Sequence, residues 1–255
     1  MTEELTAARS QLMEFARDIR ELYRRERQRA RDLEEALEEL HASYFSTMET
    51  LAFLIEAKDV GTRRHLDRTR DLAMALTRII DPELADRPET GHGYLLHDIG
   101  KIGIPEDVIT KPGPLSSSEW SVMRTHPVVG AHIVTPIRVL GDAVDVVRFH
   151  HERYDGSGYP HGLQAEEIPL AARIFSVVDA FDAITSDRPY RTGKPADAAV
   201  DEILRCSASQ FDPEVVEAFV VMMEEDGESL LVEHHPEHRP IPAPRFNDAP
   251  SIAAG

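Results

Sequence analysis

The chain has 255 residues, 42% of them hydrophobic and 29% charged, with a formal net charge of −18. That length buries one full core with room for a helical extension, and no apolar run approaches the roughly 20 residues that cross a bilayer, so membrane insertion is not expected. The acidic balance argues against a nucleic-acid polymer as partner, since such proteins carry basic stripes that displace counterions, but it leaves room for a small anionic substrate held by cations.

In chain order, the N-terminus Met-Thr-Glu-Glu lacks the basic-then-apolar signature of a signal peptide, and Cys206 is the single cysteine. Disulfides within the chain therefore play no part, and a cytoplasmic setting is expected. Residues 1–48 contain neither Pro nor Gly. Leu5, Leu12, Ile19, Leu33 and Leu40 recur at heptad spacing, broken by Glu26, and the companion series is Ala8, Phe15, Leu22, Arg29 and Ala36. The pattern predicts a coiled-coil helix that pairs with a second copy to give a homodimer. A helix folded back on the rest of the chain is the alternative.

Residues 49–226 form the expected globular domain. Leu51, Leu54 and Ile55, then Leu66, Thr69, Ala73 and Leu76, make amphipathic stripes, as do Val122, Val129 and Ile133 and the run from Ala171 to Ile184. Lys111-Pro-Gly-Pro114 and Asp155-Gly-Ser-Gly158 punctuate them as loops. Alternation at period two is lacking, so the expected fold class is all-α. Residues 227–255 are expected to be a flexible tail, because their Pro-rich polar composition cannot bury a core. His234, His235 and His238 within it are expected to be solvated.

Chemistry concentrates between His65 and Asp179. His65, the doublet His97-Asp98, His126, the doublet His150-His151 and Asp179 are the imidazole and carboxylate groups that a buried pair of divalent cations requires. The doublet Leu95-Leu96-His97-Asp98-Ile99 sits in an apolar helical stretch, and an unpaired buried carboxylate there costs several kcal/mol, so Asp98 needs a cation or a tight hydrogen-bond partner. Adjacent helical residues diverge by about 100°, so His150 and His151 reach one site only near a helix end. The loop beginning at Asp155 supplies that end. His126 precedes Pro127, which is well placed to start a helix. Each residue alone reads more naturally as a satisfied core polar group. Together with the loop Asp155-Gly-Ser-Gly-Tyr-Pro160 they point to a metal-dependent hydrolase of a phosphodiester.

Ordered motifs extend the pattern: Asp59-x-x-Thr62-x-x-His65, His97-Asp-Ile-Gly-Lys-Ile-Gly-Ile-Pro105, Lys111-Pro-Gly-Pro-Leu115, Met123-x-x-His126-x-x-x-Gly130, His150-His-Glu-x-x-Asp-Gly-x-Gly-Tyr-Pro160, Ile168-Pro169, Asp179-Ala-Phe-Asp-Ala183, Arg188-Pro-Tyr-Arg191 and Phe211-Asp-Pro213. From about Glu56 to Pro213 the chain resembles the HD-GYP group of the HD superfamily of metal-dependent phosphohydrolases, bacterial phosphodiesterases of cyclic di-GMP. The resemblance implies an HD-type helical bundle and two divalent metal ions. It assigns His65, His97, Asp98 and Asp179 to one ion and His126, His150 and His151 to the other, with Asp98 bridging. Such mixed donor sets suit Fe or Mn better than Zn. The implied reaction is in-line attack on phosphorus by a hydroxide activated between the two metals, yielding pGpG or GMP.

The same resemblance gives Lys101 a catalytic, phosphate-contacting role and makes Tyr159, Arg188 and Arg191 substrate-binding residues. It places Asp182 behind the site, orienting a ligand or Lys101. Some members use a Glu four residues before the first metal-binding His for a third metal. Gly61 stands there in this chain, and Glu56 and Asp59 are out of register, so a binuclear centre is expected. Hydrolysis of another cyclic dinucleotide, or a catalytically silent signalling module that keeps its metals for structure, are the competing expectations. No receiver, GAF or PAS pattern precedes the domain, so regulation is expected from a protein partner that grips residues 1–48.

Overall fold

The computed structural model describes residues 2–56, 63–187 and 192–232. Asp59, Gly61, Arg188, Arg191 and the tail histidines lie outside them. Among the described residues every regular element is helical, as the period predicts. They are α1 (Thr2–Glu56), α2 (Arg63–Ile80), α3 (Pro82–Ala85), α4 (Pro88–Leu96), α5 (Glu106–Ile109), α6 (Ser117–Met123), α7 (His126–Val134), α8 (Ala143–Phe149), α9 (Leu170–Thr185), α10 (Ala196–Arg205) and α11 (Pro213–Val232). Short 3-10 turns at Ile99–Gly103, Arg138–Leu140 and Ala165–Glu167 link them.

Local chemistry explains the boundaries. Asp81 accepts from the Leu84 amide and Pro82 opens α3. Ser116 and Glu119 form a reciprocal capping box at the start of α6. Pro127 lies in the first turn of α7, where its missing N–H costs nothing.

Two apolar clusters form the core. In one, Leu72 and Leu76 of α2 meet Phe175 and Phe181 of α9, Ile203 of α10 and Phe219 of α11. In the other, Met48, Ala52 and Ile55 of α1 meet Leu95 and Leu96 of α4, Val134 of α7 and Val147 of α8. Tyr94 is fully buried, stacked on Phe175 at 5.2 Å, with its hydroxyl 2.7 Å from Thr77 Oγ1. The polar centre lies where the two clusters adjoin.

α1 runs without interruption through residue 48 to Glu56. Its heptad residues Leu5, Leu12, Phe15, Ile19, Leu22, Leu33 and Leu40 are exposed, whereas Met48, Ala52 and Ile55 in its last turns are buried. The two polar residues that interrupt the seam pair with each other, Arg29 Nη1 donating to Glu26 Oε1 at 2.8 Å.

Candidate metal centre

Helix ends supply most of the site. His65 stands in the first turn of α2. α4 stops at Leu96, so the His97-Asp98 doublet lies at its C-terminal cap and in the turn beyond rather than inside an apolar helix. The cause is a close crossing. A Cβ on Gly100 would lie 1.9 Å from the His126 carbonyl oxygen and 2.5 Å from the Gly130 amide nitrogen. The chain bends at Asp98 to pass against α7, which brings Asp98 to His126. His150 caps α8, with His151 just past it, and Asp179 projects from α9.

The donors fall into two groups, Asp98 with His126, His150 and His151, and His65 with His97 and Asp179; within each group the donor atoms lie within 4.8 Å of one another. Asp98 faces both. Its Oδ1 is 3.1 Å from His126 Nε2 and 3.9 Å from His150 Nε2, while its Oδ2 is 3.2 Å from His97 Nε2 and 2.8 Å from Lys101 Nζ. Lys101 reaches Asp98 because residues three apart eclipse in a 3-10 turn.

Main-chain carbonyls set the imidazoles. His97 Nδ1 lies 2.9 Å from the Tyr94 oxygen, His126 Nδ1 2.8 Å from the Met123 oxygen, and His150 Nδ1 3.1 Å from both the Val146 and Val147 oxygens. A carbonyl only accepts, so each Nδ1 carries the proton and each Nε2 turns to the site. His65 Nδ1 is held by Asp182, which also accepts from Arg68 Nε. Asp182 thus orients His65, and the alternative expectation, a contact to Lys101, is not among its hydrogen bonds. Arg68 also donates to Ser186 Oγ at 2.7 Å.

Divalent cations fit these residues. His126 Nε2 and His150 Nε2 face each other 3.3 Å apart with both Nδ1 protons committed elsewhere, lone pair against lone pair in a buried space. Asp98 Oδ1 is buried without a hydrogen-bond partner. A shared cation resolves both.

The electrostatics divide the two groups. Burial works against the charge on Asp98, but Lys101 and His97 beside it hold its carboxyl well below the usual range. Burial, then His151, His97 and His126, push His150 far down, and burial with His126 takes His151 to about 3. His97 goes the other way. Burial opposes its charge, yet Asp98, Asp179 and Glu56 raise it to about 9, and the Asp182 bond likewise raises His65 against burial.

Metal loading should therefore split with pH. His97 and His65 must each lose a proton to accept a cation, while His150 and His151 are already neutral. Affinity at the His65 group is expected to fall about tenfold per pH unit below about pH 9 for the proton displaced from His97, and more steeply where His65 is also protonated. Calorimetric titration with Mn²⁺ at about pH 8 and about pH 6 should show one binding step weakening much more than the other. Two steps that respond equally would contradict this assignment.

Tyr159 packs over His151 at 4.8 Å, with the Arg124 guanidinium 5.3 Å from its ring. Glu152 fixes this loop. It is buried and accepts from the amides of His161 at 2.7 Å, Gly162 at 3.1 Å and Leu163 at 3.2 Å. Hydrogen bonds to a buried carboxylate contribute about 1.5–3 kcal/mol, so Glu152→Ala should lower the melting temperature by roughly 5–10 °C. Thermal unfolding reads this directly, and a shift below about 2 °C would remove Glu152 from the loop's support.

A family model described as HD domain matches residues 49–215. The chain belongs to the HD domain family. A cyclic di-GMP phosphodiesterase of Thermotoga maritima is 39% identical over 76% of this chain and 54% of its own length. One from Pseudomonas aeruginosa is 41% identical over 72% of this chain and 45% of its own. The chain thus spans about half the length of these curated relatives. Among solved structures, a cyclic GMP-AMP specific phosphodiesterase of Vibrio cholerae shares the fold, with a TM-score of 0.55 and 19% identity over 74% of this chain and 51% of its own. The family read from the HD-GYP motifs is borne out.

Three residues went unassigned in the sequence. Glu152 lies inside a quoted motif, but its partners are main-chain amides and leave no side-chain signal. Arg68 meets Asp182 across more than a hundred residues. Glu56 is buried at the centre, where burial, with a contribution from Asp98 and against Lys101, raises its carboxyl above the ordinary range.

Proposed function

We propose that the chain is a cyclic di-GMP phosphodiesterase, hydrolysing its substrate to pGpG or GMP at a centre of two Fe or Mn ions. The observation that carries this is Asp98 lying between the two donor groups, its oxygens divided between His126 and His97. His65, His97 and Asp179 hold one cation, His126, His150 and His151 the other, with Asp98 shared. When bound, such a pair supplies Lewis-acid charge and an activated water for attack at phosphorus.

The protein groups do the rest. Lys101, drawn to Asp98, presents its ammonium to a non-bridging phosphate oxygen and offsets charge that grows during attack. Tyr159, fixed over His151, offers a face for guanine and a hydroxyl for phosphate. Arg188 and Arg191 complete the phosphate contacts, and Asp182 keeps Nε2 of His65 aimed at its cation.

Turnover of cyclic di-GMP by protein purified anaerobically and reconstituted with Fe or Mn, with metal content measured alongside, tests the reading. Metal bound without hydrolysis of any cyclic dinucleotide would sink it. The shared fold of the cyclic GMP-AMP enzyme supports a second substrate reading, since fold does not fix substrate, and the assay includes that dinucleotide.

Residues 1–48 serve as a dimerisation stalk and docking point for a regulatory protein, residues 49–226 as the catalytic domain and residues 227–255 as a tail that begins within α11, in a cytoplasmic protein. The exposed heptad stripe of α1 supports the dimer. Sedimentation should give a dimer for the native chain and a monomer for Leu12→Asp with Ile19→Asp. A monomeric native chain would end the proposal.

A further inference from the structure

The last residue of α1 enters the metal centre. Glu56 is 4% exposed, although it closes a helix whose residues 5–44 lie exposed. Its Oε1 is 3.7 Å from His65 Nε2, and its Oε2 is buried without a hydrogen-bond partner. Among the described residues, the only other buried carboxylate oxygen in that condition is Asp98 Oδ1, at the heart of the same centre.

At 3.7 Å the contact with His65 is too long for an ordinary hydrogen bond, and the ring's other nitrogen is already held by Asp182. A buried carboxylate oxygen left without a partner costs free energy. The separation suits something else. Donors about 2.0–2.2 Å from one cation lie roughly 3–4 Å apart. His65, His97 and Asp179 form a compact trio that leaves the cation coordinatively open, and Glu56 stands at the His65 edge.

We infer that Glu56 is a carboxylate donor closing the first cation site on its His65 side. The inference rests on the metal-centre reading above. It adds an anionic group to a site that otherwise holds two imidazoles and Asp179 beside the shared Asp98, which favours hard divalent ions. It also makes the end of α1 part of the centre, so that filling the site fastens the last turn of the stalk helix.

The experiment is Mn²⁺ titration by calorimetry and metal analysis on the full chain, comparing the native protein with Glu56→Gln, Glu56→Asp and the control Glu49→Gln on the same helix. Circular dichroism checks that each variant is folded. Glu56→Gln should weaken one of the two binding steps by ten- to hundredfold and leave the other unchanged. Glu56→Asp should recover part of the loss, and Glu49→Gln should match the native chain. Hydrogen exchange gives an independent readout: Mn²⁺ should slow the amides of residues 52–56 in the native chain but not in Glu56→Gln. A native chain that binds no metal defeats the metal-centre reading itself. A native chain that binds two ions while Glu56→Gln binds them identically overturns the inference alone. Should Glu56→Gln lose its fold, Glu56→Asp carries the decision, since a structural carboxylate would tolerate it with unchanged affinity.

Discussion

Asp98→Asn is expected to remove at least three orders of magnitude of turnover while leaving the helical fold in place. Asn keeps the shape and one acceptor oxygen but loses the charge that the proposed two-cation centre requires of a single shared side chain. Asp98 touches His97, His126 and Lys101 within 3.2 Å, and no other described carboxylate faces both donor groups. Losing the shared donor weakens both sites and removes several kcal/mol of transition-state charge stabilisation, at 1.36 kcal/mol per tenfold about 10³-fold or more. Metal analysis with a turnover assay checks it. Retention of both ions and of a tenth or more of native activity would show that the bridge is not where the catalysis lies.

Gly100→Ala should do comparable harm without touching a polar group. The added methyl would have to displace the His126 carbonyl, 1.9 Å away, and the Gly130 amide, 2.5 Å away, both of them main-chain atoms that cannot swing aside. The turn that carries Asp98 must then lift off α7. Overpacking of this kind costs roughly 1–3 kcal/mol or more in stability. A displacement of about 1 Å at a catalytic group costs about a hundredfold in rate. Gly91→Ala, within α4, is the contrast: its methyl meets only the flexible Met74 side chain, Sδ at 3.5 Å and Cγ at 3.9 Å, so that variant should be neutral or slightly stabilised. Parallel melting curves and turnover separate the two. If Gly100→Ala keeps native turnover, the close crossing is not what seats Asp98.

The helical period along Leu66, Thr69, Ala73 and Leu76 was legible because one buried face must repeat with the turn, and the core follows it. The donors were legible because His and Asp in apolar surroundings need a partner. Their exact seating was not. That α4 ends at Leu96 depends on a steric conflict at Gly100 with residues that the chain reaches only thirty positions later. Glu152 answers to main-chain amides, which every sequence has. Glu56 carries no such signal, since its spacing from His65 misses the register of a metal-binding Glu; only the packing of Met48, Ala52 and Ile55 brings the helix end to the centre. The exposed stripe of α1 shows the same limit from the other side, since a heptad reports that a face wants a partner and not which one.

The imidazoles of His97, His126 and His150 take their orientation from peptide oxygens at Tyr94, Met123, Val146 and Val147, carbonyls of the last turn of a helix, where acceptors are in surplus. The aim of these rings is therefore written in backbone geometry, indifferent to which side chains stand at those four positions. Such a centre is portable. Three idealised helices ending at the same relative places, each followed by one histidine, would carry much of this donor array onto a scaffold unrelated in sequence.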